Sequence, residues 1–96
     1  MKLTKEDSVS EAFAFEGIKN ILIVGGLGTV TLERKLIGSD WWPLSVNIAG
    51  DVAQFTLNGG CAYNGTLEEK GLGATYRFVA ELDSGEVDIQ LTKANR

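Results

Sequence analysis

The chain has 96 residues, among them 12 Gly, 1 Pro, 1 Cys and no His, and its 9 basic and 13 acidic side chains leave a formal net charge of −4. A chain of this length is one small domain that hides only ~60–65% of its unfolded surface, so its core is thin and docking or self-association would help it. The lack of His excludes His-based triads and His metal ligands, the single Cys excludes a disulfide framework or a Cys-rich metal site, and the dispersed acidic balance speaks against nucleic acid. No cofactor is expected.

Residues 1–11 are mostly polar and read as a loosely held arm or first strand, ahead of a single domain over 12–96. They lack the apolar stretch of a signal peptide, and no apolar run approaches the ~18–20 residues of a membrane span, so no membrane partner is expected. From Ala12 onward the period is two, punctuated by glycine, which predicts strands near 12–16, 19–24, 29–37, 42–48, 52–57, 62–67, 74–83 and 86–92. No segment carries a long amphipathic helical pattern. The fold class is all-β, a small antiparallel β-sandwich of immunoglobulin-like or jelly-roll-like type.

Ile21-Leu22-Ile23-Val24 is apolar at every position, so both faces should be covered, by a central place in the sandwich, by the arm or by a neighbouring subunit. The following Gly25-Gly26-Leu27-Gly28 imitates a dinucleotide-binding turn. That motif needs a helix after it, and Thr29-Val30-Thr31-Leu32-Glu33-Arg34 alternates as a strand, so the nucleotide reading fails. Arg34 falls in the inward set with Val30, Leu32 and Leu36. It therefore needs a carboxylate partner or a place near the strand end.

Trp41-Trp42-Pro43 marks an edge strand or a strand start, because Pro43 cannot donate to a ladder. Parity puts Trp42 inside with Leu44, Val46 and Ile48, and Trp41 outside with Ser45 and Asn47. An outward Trp41 is either a partner contact, with Pro43 beside it, or a ring tucked into the rim of the core. A two-residue turn at Gly50-Asp51 would pair Ile48 with Ala53, Val46 with Phe55 and Leu44 with Leu57. Cys61 reads as a small buried residue.

A second two-residue turn, at Ser84-Gly85, would pair Leu82 with Val87, Ala80 with Ile89 and Phe78 with Leu91. The same register sets Asp83 opposite Glu86 and Glu81 opposite Asp88 on the outer face. Like charges directly opposed are destabilising, so these four acids are either a contact surface for a basic partner, a cation site, or a plain solvated face.

Three stretches together resemble a known group of proteins: Gly28-Thr29-Val30-Thr31-Leu32-Glu33-Arg34, Gly38-Ser39-Asp40-Trp41-Trp42-Pro43-Leu44, and Gly73-Ala74-Thr75-Tyr76-Arg77-Phe78-Val79-Ala80 with Ser84-Gly85-Glu86-Val87. They are similar to small β-rich virion proteins encoded in the structural operons of tailed bacteriophages. The turn before the aromatic is shortened here, Ser39-Asp40-Trp41 with no intervening Gly. The resemblance implies a non-enzymatic virion component, made in the host cytoplasm, that decorates the capsid or serves as a connector or tail accessory. Its partners would be other virion proteins and further copies of itself. Gly73 to Phe78 is also similar to the tyrosine corner of immunoglobulin-like sandwiches, in which Tyr76 would tie its hydroxyl to nearby backbone. A carbohydrate-binding or adhesin module is the alternative, with Trp41 stacking on a sugar and Asn47 and Gln54 supplying polar contacts.

Overall fold

A computed structural model describes residues 1–71 and 73–93; the last three residues of the expected domain lie outside that range. The described residues form two antiparallel sheets packed together, with no helix, as a small β-sandwich. One sheet holds β1 (Lys2–Leu3), β8 (Val87–Lys93), β2 (Gly17–Val24) and β6 (Cys61–Glu69), in that order. The other is built on β3 (Leu27–Leu36). β7 (Ala74–Ser84) runs along one side of β3, and β5 (Gln54–Asn58) and β4 (Trp42–Pro43) lie in tandem on the other.

The N-terminal residues are stitched to both sheets, so of the two readings the first strand holds, as the short β1, and the loosely held arm is corrected. Lys2 and Leu3 pair with Asp88 and Val87. The chain then crosses over and lies on the free edge of β7, where Ser10 N donates to Phe78 O at 2.9 Å and Ala80 N to Ser8 O at 2.8 Å. Of the strand expected over 12–16, only the bridge of Phe13 to Tyr76 forms. The bridge of Val9 to Val79 is one residue out of step with it, and that slip interrupts the ladder.

Most other connections also cross between the sheets. Three do so at one end, at Gly25-Gly26, Gly59-Gly60 and Ser84-Gly85, and they brace one another. Gly25 N donates to Gly60 O at 3.0 Å, Gly59 N to Gly26 O at 2.9 Å, and a Cβ on Gly85 would lie in van der Waals contact with the Gly26 Cα, 3.4 Å away. The Gly-rich segment is thus a strand-to-strand corner, as its failed helix context indicates. The hairpin expected at Ser84-Gly85 does not form. β7 pairs with β3 and β8 pairs with β2, so Leu82–Val87, Ala80–Ile89 and Phe78–Leu91 are not ladder partners. Their facing is nevertheless right, since Phe78, Ala80, Leu82, Val87 and Ile89 are all buried. Two strands with matching buried faces satisfy alternation equally well side by side or across the core.

The β4–β5 connection is also corrected. Leu44 N donates to Leu32 O and Leu32 N to Ala53 O, both at 2.9 Å, so β3 takes up both ends of the loop. Between them the chain leaves the sheet edge as a short hairpin with Ser45 opposite Val52 and Val46 N bonded to Asp51 O at 2.8 Å. Ile48–Ala53, Val46–Phe55 and Leu44–Leu57 are therefore unpaired, and Val46 and Ile48 stand in solvent instead of the core. The core itself runs through Ile21, Ile23, Val30, Leu32, Phe78 and Ile89. The apolar Ile21–Val24 run holds a central position, between β8 and β6.

Candidate functional site

The turn after β3 places the two tryptophans on opposite sides of its sheet. Trp41 lies on the outer face, where its ring covers the Arg77 guanidinium at 4.5 Å and approaches the Lys35 ammonium at 5.8 Å. Arg77 Nε in turn donates to Glu33 Oε1 at 2.7 Å. Trp41 is thereby half-buried by its own sheet. Trp42 is opposite Arg34 and on its side of the sheet, as parity requires, yet 66% of its surface is exposed. The expectation of a core Trp42 fails on depth: β4 joins β3 near its C-terminal end, beyond the core. There Trp42, Pro43, Ser39, Asp40, Leu36 and Arg34 line a depression of about 200 Å³.

Beneath that depression is a polar clamp between the sheets. Glu69, at the end of β6, reaches across to Arg34 on β3 and Tyr76 on β7. Its Oε1 accepts from Arg34 Nη2 at 2.8 Å, from Arg34 Nε at 3.0 Å and from the Tyr76 hydroxyl at 2.5 Å, and its Oε2 accepts from Gly71 N at 3.1 Å. The Tyr76 hydrogen bond, then the Arg34 bonds, hold the Glu69 carboxyl down at about 2. Burial, then the bond to Glu69, pushes the Tyr76 phenol up to about 12. The hydrogen bond to Glu69 likewise raises Arg34. Protons on this cluster are fixed through the neutral range, so the arrangement is a strut. Arg34 thus has the carboxylate its inward parity demands, and lies near its strand end. Tyr76 departs from the tyrosine-corner expectation, because its hydroxyl binds a side-chain carboxylate on the opposite sheet instead of nearby backbone.

The acidic set disperses. Glu81 registers with Thr29 on one sheet and Asp88 with Val24 and Lys2 on the other, so neither expected rung, Asp83–Glu86 or Glu81–Asp88, exists. Glu86 lies 3.5 Å from Lys2 Nζ, and Glu81 and Asp83 share a shallow surface with Lys5. The N-terminal ammonium likewise lies 3.9 Å from Asp88 Oδ1. These acids sit at the opposite end of β3 from Trp41 and Pro43. Asn47 is tied to Asp51 at 2.8 Å and Gln54 to Thr31 at 3.2 Å, leaving neither beside Trp41. Cys61 is exposed at a corner, correcting its expected burial. Among the described residues, no group of three or more His, Cys, Asp or Glu side chains converges as a metal site needs.

Sequence reasoning missed one feature. Leu36, Ile37, Trp42, Val46, Ile48 and Val52 are all exposed, and all fall within the single connection from the end of β3 to the start of β5. Leu36 and Trp42 border one depression and Val46 borders a neighbouring one, the two sharing Arg34 and Leu44. Alternation places Leu36, Trp42, Val46 and Ile48 on the buried face, which hides this patch from a reading of the sequence. No protein family, curated protein or solved structure matches this chain.

Proposed function

We propose that this chain is a non-enzymatic structural protein of a bacteriophage virion. It docks on the particle, as a capsid decoration protein or a connector or tail accessory, through the 36–52 connection. The resemblance of its Gly28–Arg34, Gly38–Leu44 and Gly73–Val87 stretches supports the virion assignment. The observation that carries the docking reading is the exposed Trp42, set with Leu36 and Pro43 on one apolar surface. An exposed Trp amid apolar neighbours and a polar rim of Ser39 and Asp40 has the composition of an interface anchor. Trp41 and Pro43 flank it, and Trp41 fixes the turn by stacking on Arg77.

Co-sedimentation of the purified chain with virion shells and tails lacking it tests the reading. Saturable binding at a fixed copy number, lost in Trp42→Ala, is expected; absence of binding to every particle component overturns it. A second reading is favoured by the same ring: Trp42 with Asp40 and Ser39 beside it has the make-up of a sugar-stacking platform. Binding to a glycan array, abolished by Trp42→Ala, would establish that reading in place of docking.

A further inference from the structure

The 44–53 hairpin stands beside an opening between the two sheets. At the side closed by β5 and β6, the Phe55 and Tyr63 rings meet at 4.7 Å. Next to them is an apolar gap of about 210 Å³ whose walls include Ile21, Leu32, Phe55 and Leu67, with Val46 and Val52 at the base of the hairpin forming its near side. Cavities of ~150 Å³ with apolar walls accept benzene, so this gap has room for a branched aliphatic side chain. The hairpin's own apolar tip does not fill it. Ile48 is fully exposed, and the tip is held out by Val46 N to Asp51 O at 2.8 Å and by Asn47 Nδ2 to Asp51 Oδ2 at 2.8 Å.

We infer that the gap is the socket for Ile48 of a second copy of this chain, in a two-fold dimer where each hairpin tip enters the other's gap. This rests on the reading of the 36–52 connection as the contact surface, and it assigns the hairpin half of that surface to self-association. A plug and its socket lie side by side on one edge of one molecule, which is the self-complementarity that an isologous interface requires. No charged residue lines the gap, so two copies with a net charge of −4 each can approach there without opposing charges. Val46, Ile48 and Val52 are 61%, 106% and 45% exposed, so the hairpin offers a contiguous apolar contribution to the ~800 Å² that each partner gives to a standard interface. Among the described residues β6 is the last strand of its sheet, with no further strand beside it.

Sedimentation of the purified full chain, without particles, across micromolar to submillimolar concentrations tests this. Two exposed-site variants are used: Ile48→Glu removes the plug and Val52→Trp, at an exposed residue that lines the gap, blocks the mouth. Each should raise the dimer dissociation constant at least tenfold while keeping the strand spectrum and a cooperative unfolding transition. Mixed together, the two variants should form a heterodimer, because one supplies an intact plug and the other an intact socket. A wild-type chain that stays monomeric throughout overturns the inference. So does a dimer indifferent to either substitution, or variants that fail to complement. Particle docking is read separately through Trp42→Ala, so its failure does not mimic a failure here.

Discussion

The Arg34 guanidinium and the Glu69 carboxylate meet across the two sheets at 2.8 Å, although 35 residues separate them in the chain. Glu69 ends its strand and Arg34 lies two residues from the end of its own, where the core gives way to the Trp42 depression. The clamp therefore closes the sandwich directly beneath the surface proposed to dock. Breaking a pair of this kind leaves an uncompensated charge beside the core, which is costly even where the intact pair contributes little.

The clamp sets the pH dependence of stability. The Glu69 carboxyl lies at about 2 in the fold against an ordinary 4.5, so its contribution is full above about 4.5 and is lost as pH falls towards 2. The Tyr76 phenol lies at about 12 against an ordinary 10, so its contribution is full below 10 and is lost as pH rises through 12. Denaturant unfolding as a function of pH should show both limbs in the wild type. Glu69→Gln should flatten the acid limb and cost ~2 kcal/mol at neutral pH, the order expected for a charged hydrogen-bond partner. An unchanged acid limb would mean that other carboxylates dominate.

The two tryptophans should separate cleanly. Trp42→Ala should change folding stability by ~0.5 kcal/mol or less, as exposed substitutions do, while weakening docking by ~2 kcal/mol or more. Trp41→Ala should cost ~0.5–1 kcal/mol of stability through its lost stacking on Arg77. Paired unfolding and particle-binding curves for both variants check this.

The facing of strands was legible in the sequence, and their neighbours were not. Phe78, Ala80, Leu82, Val87 and Ile89 alternate unmistakably, and all are buried. Alternation records which side faces the core, but Ser84-Gly85 is equally able to make a hairpin or a corner between sheets. The corner follows from pairings between distant segments, β7 with β3 and β8 with β2, which local alternation does not record. Arg34 announced that it needed a carboxylate, yet nothing local singled out Glu69. Parity placed Trp42 on the correct side of the sheet and said nothing of depth, because depth depends on where the opposite sheet ends.

Gly28 is the corner position least able to take a side chain. Its φ is +133°, and a Cβ there would run into the Glu81 carbonyl and lie 2.9 Å from the Leu82 Cα. Gly38 has a φ of +79° with open space around it. Gly28→Ala should therefore cost well beyond the ~1 kcal/mol of left-handed strain expected for Gly38→Ala, because backbone of β7 must move as well. Thermal unfolding of the two variants side by side measures the difference. Equal losses would show that the β3–β7 bulge yields at no cost.

Leu3 tests whether the N-terminal residues belong to the fold. It lies on a strand of two residues, yet only 2% of its surface is exposed, and it joins the same buried cluster as Ile23, Val87 and Ile89. Further along, Phe13 packs against Tyr76 and Phe78 with ring centroids 5.9 and 5.8 Å apart, so the segment is anchored in the core at both ends. A loosely held arm would lose ~0.5 kcal/mol or less on truncation of one side chain. A core leucine loses ~2–5 kcal/mol when cut to Ala, the range set by how far the cavity collapses. Leu3→Ala should fall in the second range and lower the unfolding midpoint without changing the denaturant slope, since the exposed surface on unfolding stays nearly the same. Amide exchange supplies an independent reading: the Ser10 and Ala80 amides, which tie the arm to β7, should exchange only with global unfolding in the wild type. If these amides exchange through a local opening, and Leu3→Ala is nearly neutral, the arm is a strap laid over a finished sandwich. If both respond as expected, the first thirteen residues are part of the cooperative unit, and the sheet edges they cover are closed to any partner.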